Sequence, residues 1–175
     1  TRLLGDYSLS NLLGAVTLLA ALGEPLDALL AAADVAPVPG RLQTFAHPDG
    51  FTVVVDYAHT PDALARALAV LREHFPGAVH CVFGCGGERD PGKRPEMARA
   101  AESGADRVTV TDDNPRGEDG DRIVADILAG LAAPERVVVE RDRRRAVETA
   151  CARARAGDVV LVAGKGHETY QDGPT

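Results

Sequence analysis

The sequence predicts an α/β protein: a mostly parallel six-stranded sheet with helices on both faces, preceded by a short helical segment. Three observations carry that expectation. Apolar, β-branched runs such as "VVLVA" (159–163) alternate with helical stretches along most of the chain, the pattern of strands joined by crossover helices and buried on both sides. A break at "VAPVPGR" (35–41) separates a purely helical start from this alternating part. The glycine-rich and mixed-charge segments all follow strands, whereas the connections leading into strands, such as "HFPGA" and "ARAGD", are plain turns. Open α/β sheets bind ligands beyond the carboxyl ends of their strands, so this asymmetry places a site at one rim.

Taken in order, residues 8–33 read as two helices. Ser8 or Ser10 is expected to cap the first, Gly23 to end it, and Pro25 to mark the start of the second. The two prolines and the glycine of 35–41 predict a boundary near residue 39, with a helical unit over 1–38 and the sheet domain over 39–175. "RLQTF" and "FTVVVDY" flank "AHPDG", a hairpin signal built on Asp49-Gly50 that makes the first strand an antiparallel edge. "TPDALARALAVLREHF" is a helix with Thr60 as cap and Pro61 at its first position. Then come strand "AVHCVFG", helix "RPEMARAAES", strand "DRVTVT", helix "GDRIVADILAGLA", strand "RVVVE", helix "RRRAVETACARARA" and strand "DVVLVAG".

The 175 residues suffice for a real core, and 45% hydrophobic with 26% charged residues is the composition of a folded globular chain. A net charge of −7 argues against nucleic acid or an anionic membrane as partner. The basic cluster "RDRRRA" (141–146) reads as a solvated helix start. Cys81, Cys85 and Cys151 form no CxxC pair and read as buried free thiols in a reducing compartment, with no metal. No apolar run reaches the ~18 residues of a membrane span, and the expectation is a cytosolic protein without a signal peptide.

Four loops carry the chemistry: "DYAHTPD" (56–62), "GCGGERDPGKRP" (84–95), "TDDNPRGEDG" (111–120) and "GKGHETYQ" (164–171). The second exposes glycine N–H groups beside a helix start, with Arg89, Lys93 and Arg94 adding positive charge for an anion. Neither it nor "AGKGHE" is a P-loop. Arg89 or Arg116 is suited to a ligand carboxylate through paired hydrogen bonds, and Asp113 or Glu168 to an ammonium. Pro115 fixes one φ and limits the drift of Arg116. On residue chemistry alone this is an amino-acid or nucleotide site.

"VDYAHTPDAL", "VFGCGGERDPGKRP", "VTDDNPR" and "VVLVAGKGHETYQ", in this order and spacing, resemble the C-terminal domain of the Mur ligases, over about residues 40–171. Within that family the likeness is to the members that add 2,6-diaminopimelate to UDP-N-acetylmuramoyl-alanyl-glutamate. Residues 1–36, with "LGDYSLSNLLGA", resemble the end of the family's central ATPase domain. The resemblance implies a Rossmann-like domain, ATP and Mg²⁺ as cofactors, and a cytoplasmic monomer serving peptidoglycan synthesis. It implies activation of a carboxylate as an acyl phosphate, followed by attack of the incoming amine. By motif, Arg89, Asp113, Asn114, Pro115, Arg116, Gly164 and Glu168 would form the diaminopimelate pocket. Arg116 would read the distal carboxylate that lysine lacks, with the neighbouring acids on the amine of that end. Asn11, Arg41, Asp56 and His59 would lie on the ATP side. The family's phosphate loop, carbamylated lysine and Mg²⁺-binding glutamate fall outside these residues, so the catalytic groups are not assigned here and the isolated chain is expected to be inactive. Ser8, Gln43 and Glu88 depart from the family's usual residues. Two other readings are a free-standing amino-acid or nucleotide-binding module and a related ligase such as a folate polyglutamylating or cyanophycin-forming enzyme.

Overall fold

A computed structural model describes residues 4–34 and 38–168. The chain divides into two compact units, Thr1–Val38 and Pro39–Thr175. In the first, helix α1 (Asp6–Ala21) and helix α2 (Leu26–Ala32) pair. The expected serine cap is not used: Gly5 precedes α1 without a side-chain cap, and Ser8 and Ser10 lie within the helix. Gly23, at φ 97°, ends it, its N–H donating to Ala20 O while Glu24 N reaches Leu19 O. Leu9, Leu13, Leu18, Leu22, Leu26 and Leu30 of this unit are all exposed.

The second unit holds β1 (Gln43–Ala46), β2 (Thr52–Asp56), α3 (Pro61–His74), β3 (Val79–Phe83), α4 (Lys93–Gly104), β4 (Arg107–Val110), α5 (Gly120–Leu128), β5 (Val138–Val139), α6 (Arg143–Arg153) and β6 (Val159–Ala163). They form a six-stranded sheet in the order β1-β2-β6-β3-β4-β5, parallel except for the β1–β2 hairpin. The hairpin turns on Gly50, whose φ of 84° no ordinary side chain adopts without strain, with His47 N bonded to Phe51 O. Thr60 and Pro61 start α3 as the sequence suggests, Thr60 Oγ1 accepting from Ala63 N at 3.4 Å. Several elements are shorter than expected, among them α6, which stops at Arg153. "RVVVE" contributes only the two residues of edge strand β5, because Pro134–Arg136 forms a 3₁₀ turn, and α5 stops at Leu128.

Val82 and Val160 face α6, where Phe51, Ala146 and Ala150 complete a buried cluster. Alternate strand residues, among them Val79, Cys81 and Phe83, are equally buried on the opposite side, and α3, α4 and α5 pack in series as the other helical layer. Burial drives the Cys81 thiol up to about 12, so it behaves as a small apolar residue. Among the described residues no helix is long and apolar enough to cross a membrane.

The amino-terminal end of the sheet is sealed by a polar knot. Asp158 accepts from Ala78 N, Arg155 N and the Nε2 of buried His80. Burial lowers the His80 pKa below its ordinary 6.5, against the opposing pull of Asp158. Against its own burial, the amides of Arg155 and Ala78 hold Asp158 below the usual carboxylate range. A lowered imidazole pKa means that the unfolded chain binds the extra proton first, so stability present above about pH 6.5 is lost as pH falls toward the folded value. We expect the melting temperature to decline from pH 7.5 to 5, and His80→Gln to flatten that stretch of the curve. A wild-type profile flat over this range contradicts the assignment.

Candidate functional site

The parallel order brings the carboxyl ends of β2, β6, β3 and β4 side by side, and the four unusual loops with them. Between the loops lies a cleft of about 550 Å³ lined by Tyr57, His59, Thr60, Gly84–Gly86, Arg89, Asp90, Lys93, Asp113, Arg116, Gly164 and Glu168. A larger hollow of about 710 Å³ opens at the opposite, amino-terminal end. There the carboxylates are already occupied: Glu102 accepts from Ala132 N and Ala133 N, and Asp106 from Val79 N and Arg72. The first cleft is where the fold puts ligand chemistry.

Its floor depends on close backbone approach between two loops. A Cβ on Gly84 would overlap Thr111 O, and one on Gly87 would overlap Pro115 O. Gly87 N donates to Asn114 O at 2.9 Å. Arg116, at φ 51°, folds back over this contact, its Nη1 donating to Gly87 O at 2.7 Å and to Asn114 O at 3.4 Å. Its Nε and Nη2 make no hydrogen bond and it joins no ion pair among the described residues. The acids of its own loop are engaged elsewhere. Asp112 meets Arg141, while Glu118 takes Arg94 on one oxygen and Glu88 N on the other. Arg116 is thus anchored by carbonyls while one edge of its guanidinium stays available.

Asp113 Oδ1 accepts from Asn114 N at 2.6 Å. Gly164 follows β6 at φ 113°, a conformation that side-chain-bearing residues rarely adopt, and a Cβ there would also lie 3.3 Å from Asp113 Oδ2. Asn114 and Pro115 are absent from the cleft lining. Asn114, 1% exposed, sits behind it, where its Oδ1 accepts from the buried Lys165 Nζ at 3.0 Å. This bond ties the loop after β4 to the loop after β6.

Two expectations about positive charge are corrected. Arg94 does not serve an anion: 1% exposed, it turns away from the cleft to bond Glu118 at 2.7 Å and Asp126 at 2.8 Å. Its hydrogen bond holds the Glu118 carboxyl below the usual range, and through Glu118 it sets Glu88, at φ 53°, against the neighbouring loop. Nor is "RDRRRA" a solvated helix start. Arg144 and Arg145 are exposed, but Arg141 pairs with Asp112 and Asp121 and Arg143 is buried. Arg94 is thus given another role than the sequence suggests, and the buried cations that the sequence does not single out are Arg143 and Lys165. For Arg143 a signal existed: it shares a helical stripe with Ala146 and Ala150.

Of the four residues that the resemblance assigns to ATP, Arg41, Asp56 and His59 gather around Tyr57, whose ring lies 4.8 Å from that of His59. His59 lines the cleft, its Nδ1 bonded to Tyr57 O. Arg41 lies 4.6 Å above the Tyr57 ring. Asp56 is buried and uses both oxygens on backbone amides, Leu42 N at 2.7 Å and Ala58 N at 2.8 Å. It shapes the turn that carries Arg41, including Leu42 at φ 41°. Asn11 is exposed on α1, in the other unit. Thr169–Gln171 of the last motif lie outside the described residues. Cys85, in the cleft wall, is pushed by burial up to about 11 and is inert as a nucleophile. Among the described residues no three metal-ligating side chains cluster.

The sequence profile of the Mur ligase, glutamate ligase domain, matches residues 40–166. UDP-N-acetylmuramoyl-L-alanyl-D-glutamate--2,6-diaminopimelate ligase of Xylella fastidiosa (strain Temecula1 / ATCC 700964) is 55% identical over 172 residues, covering 97% of this chain and 35% of the relative. A solved structure of a ligase of that name superposes with a TM-score of 0.75 at 44% identity, covering 97% of this chain and 35% of that one. The MurF ligase of Thermotoga maritima in complex with ADP superposes with a TM-score of 0.62 at 22% identity, covering 85% of this chain and 32% of that one, a likeness of fold. The chain spans about a third of the length of the relatives it matches.

Proposed function

Because this chain belongs to the Mur ligase family, through its glutamate ligase domain, we propose that it supplies the amino-acid pocket of an ATP-dependent ligase joining 2,6-diaminopimelate to UDP-N-acetylmuramoyl-alanyl-glutamate. The observation that carries this reading is Arg116: a guanidinium anchored by two carbonyls at the cleft, with Nε and Nη2 open and no carboxylate on it among the described residues. That edge matches a carboxylate in paired geometry, and Asp113 and Glu168 on the same cleft match the ammonium beside it. The distal end of diaminopimelate carries both groups. Its other end would approach Arg89, which makes no ion pair among the described residues.

In this reading ATP supplies the phosphoryl group that activates the substrate carboxylate. The residues of this chain bind and orient the amine that attacks it, and Arg41 with His59 borders the nucleotide from this side. The setting is the bacterial cytoplasm and the pathway peptidoglycan synthesis, in line with the names of the relatives. For Mg²⁺ the described residues offer no cluster of three ligands. The related folate-ligase reading is disfavoured because the relatives 55% and 44% identical over 97% of this chain carry the diaminopimelate name.

Positioning is most of the catalysis in phosphoryl and acyl-phosphate chemistry, and the groups that hold the γ-phosphate in the family are outside this sequence. The isolated chain is therefore expected to fold yet release no ADP in the presence of the muramoyl dipeptide and diaminopimelate, and to bind ATP weakly. Coupled ADP assay and calorimetry check both points. Low-micromolar ATP binding by the isolated chain would instead support a free-standing nucleotide-binding module.

A further inference from the structure

Arg143 opens α6 and turns inward, 9% exposed. Its Nη2 donates to Ala163 O at 2.6 Å and its Nη1 to Asp112 O at 3.3 Å, joining the carboxyl end of β6 to the loop after β4. Among the described residues it makes no ion pair. Burial pulls its pKa down, and Asp113 and Glu168 of the cleft are among the anions that oppose that shift. Arg143 Nη2 and Asp113 Oδ2 lie 3.8 and 3.3 Å from the point where a Gly164 Cβ would stand, so the cation sits directly behind the pocket floor. A charge kept in such a place is an expensive feature for packing alone.

We propose that Arg143 is a specificity-determining positioning residue, a fixed counter-charge that matches the pocket to a zwitterionic ligand end rather than to a lone ammonium. The inference rests on the diaminopimelate reading above. Asp113, Glu168, Arg116 and Arg143 together sum to zero, as does the distal end of diaminopimelate. Without Arg143 the remaining three sum to −1, the complement of lysine's single ammonium. Of the other charged groups, Asp90 and Lys93 of the lining offset each other and Arg89 serves the opposite end of the ligand, while the buried Lys165, bonded to Asn114 Oδ1 behind the cleft, adds positive charge that acts in the same direction as Arg143.

The test separates charge from hydrogen bonding in the complete ligase. Arg143→Gln keeps a donor for one carbonyl but removes the charge, whereas Arg143→Lys keeps the charge and loses the fork. Steady-state kcat/KM is measured for diaminopimelate and for lysine. The Gln variant is expected to lower the diaminopimelate-to-lysine ratio about tenfold or more, the size of a unit charge acting at short range in a partly solvated site. The Lys variant is expected to hold the ratio within about threefold of wild type. Loosening of the loops without a charge effect would lower both substrates alike, and a ratio unchanged in the Gln variant overturns the proposal. Should the Gln variant be too unstable to assay, a folded Lys variant with a collapsed ratio overturns it equally. A wild-type ligase that prefers lysine removes the diaminopimelate reading itself and this proposal with it.

Discussion

Arg116→Ala in the complete ligase is expected to depress kcat/KM for diaminopimelate by about 10²-fold or more and to narrow the gap to lysine. The two amino acids share the reacting amine and the chain length and differ by the distal carboxylate. A site built around a charged donor rejects the ligand that leaves it unpaired, because that donor loses its solvation and gains nothing in return. Nη1 of Arg116 is already committed to Gly87 O and Asn114 O, so the guanidinium is held in place before any ligand arrives. Removing it costs the contact and also a brace between two loops. The KM for ATP should stay nearly unchanged, since Arg41 and His59 belong to other loops. If Arg116 served only as a brace, the variant would melt earlier while keeping its preference for diaminopimelate. Kinetics with both amino acids, beside a melting curve, distinguish the outcomes.

Gly87→Ala is expected to be as damaging without touching any charge. The added methyl would overlap Pro115 O, a backbone atom that cannot step aside as a flexible side chain does. The loops after β3 and β4 must separate, breaking the Gly87 N to Asn114 O bond and moving Gly87 O from under Arg116. A displacement on the order of 1 Å in a positioning element is enough to cost about 10²-fold in rate. We expect kcat/KM for diaminopimelate to fall by that order, with a lower melting temperature, and the KM for ATP to change little. Near-wild-type kinetics in this variant would show that the glycine apposition does not shape the pocket.

Much of this arrangement is legible in the sequence because its signals are local. The Asp49-Gly50 turn, the Thr60-Pro61 helix start and the alternation of β-branched and helical segments each depend on a few adjacent residues. The glycine-rich and mixed-charge loops follow strands, and that alone puts Arg89, Asp113, Arg116, Gly164 and Glu168 on one rim, where the structure has them lining one cleft. What was not legible depends on neighbours far along the chain. Arg94 looks like a surface charge within its own segment, and for Arg143 only the stripe shared with Ala146 and Ala150 points inward. They turn inward because Glu118 and Asp126 reach the first, and because Ala163 and Asp112 present carbonyls to the second. The first set meets where α4 packs on α5, and the second where β6 is inserted between β2 and β3, long-range pairings that no local pattern encodes. Asp56 illustrates the same limit: by motif it points to ligand, yet both its oxygens are engaged by backbone amides. Edge strand β5 is short for a local reason, the 3₁₀ turn at Pro134.

The account stands on the claim that this cleft selects an amino acid bearing both an ammonium and a carboxylate at its distal end. The most direct measurement is the ratio of kcat/KM for diaminopimelate over lysine in the complete wild-type ligase, with UDP-N-acetylmuramoyl-alanyl-glutamate and ATP saturating. A ratio of about 10² or greater is predicted from the unpaired Arg116 that lysine would leave. Equal use of the two amino acids, or a preference for lysine, would contradict it.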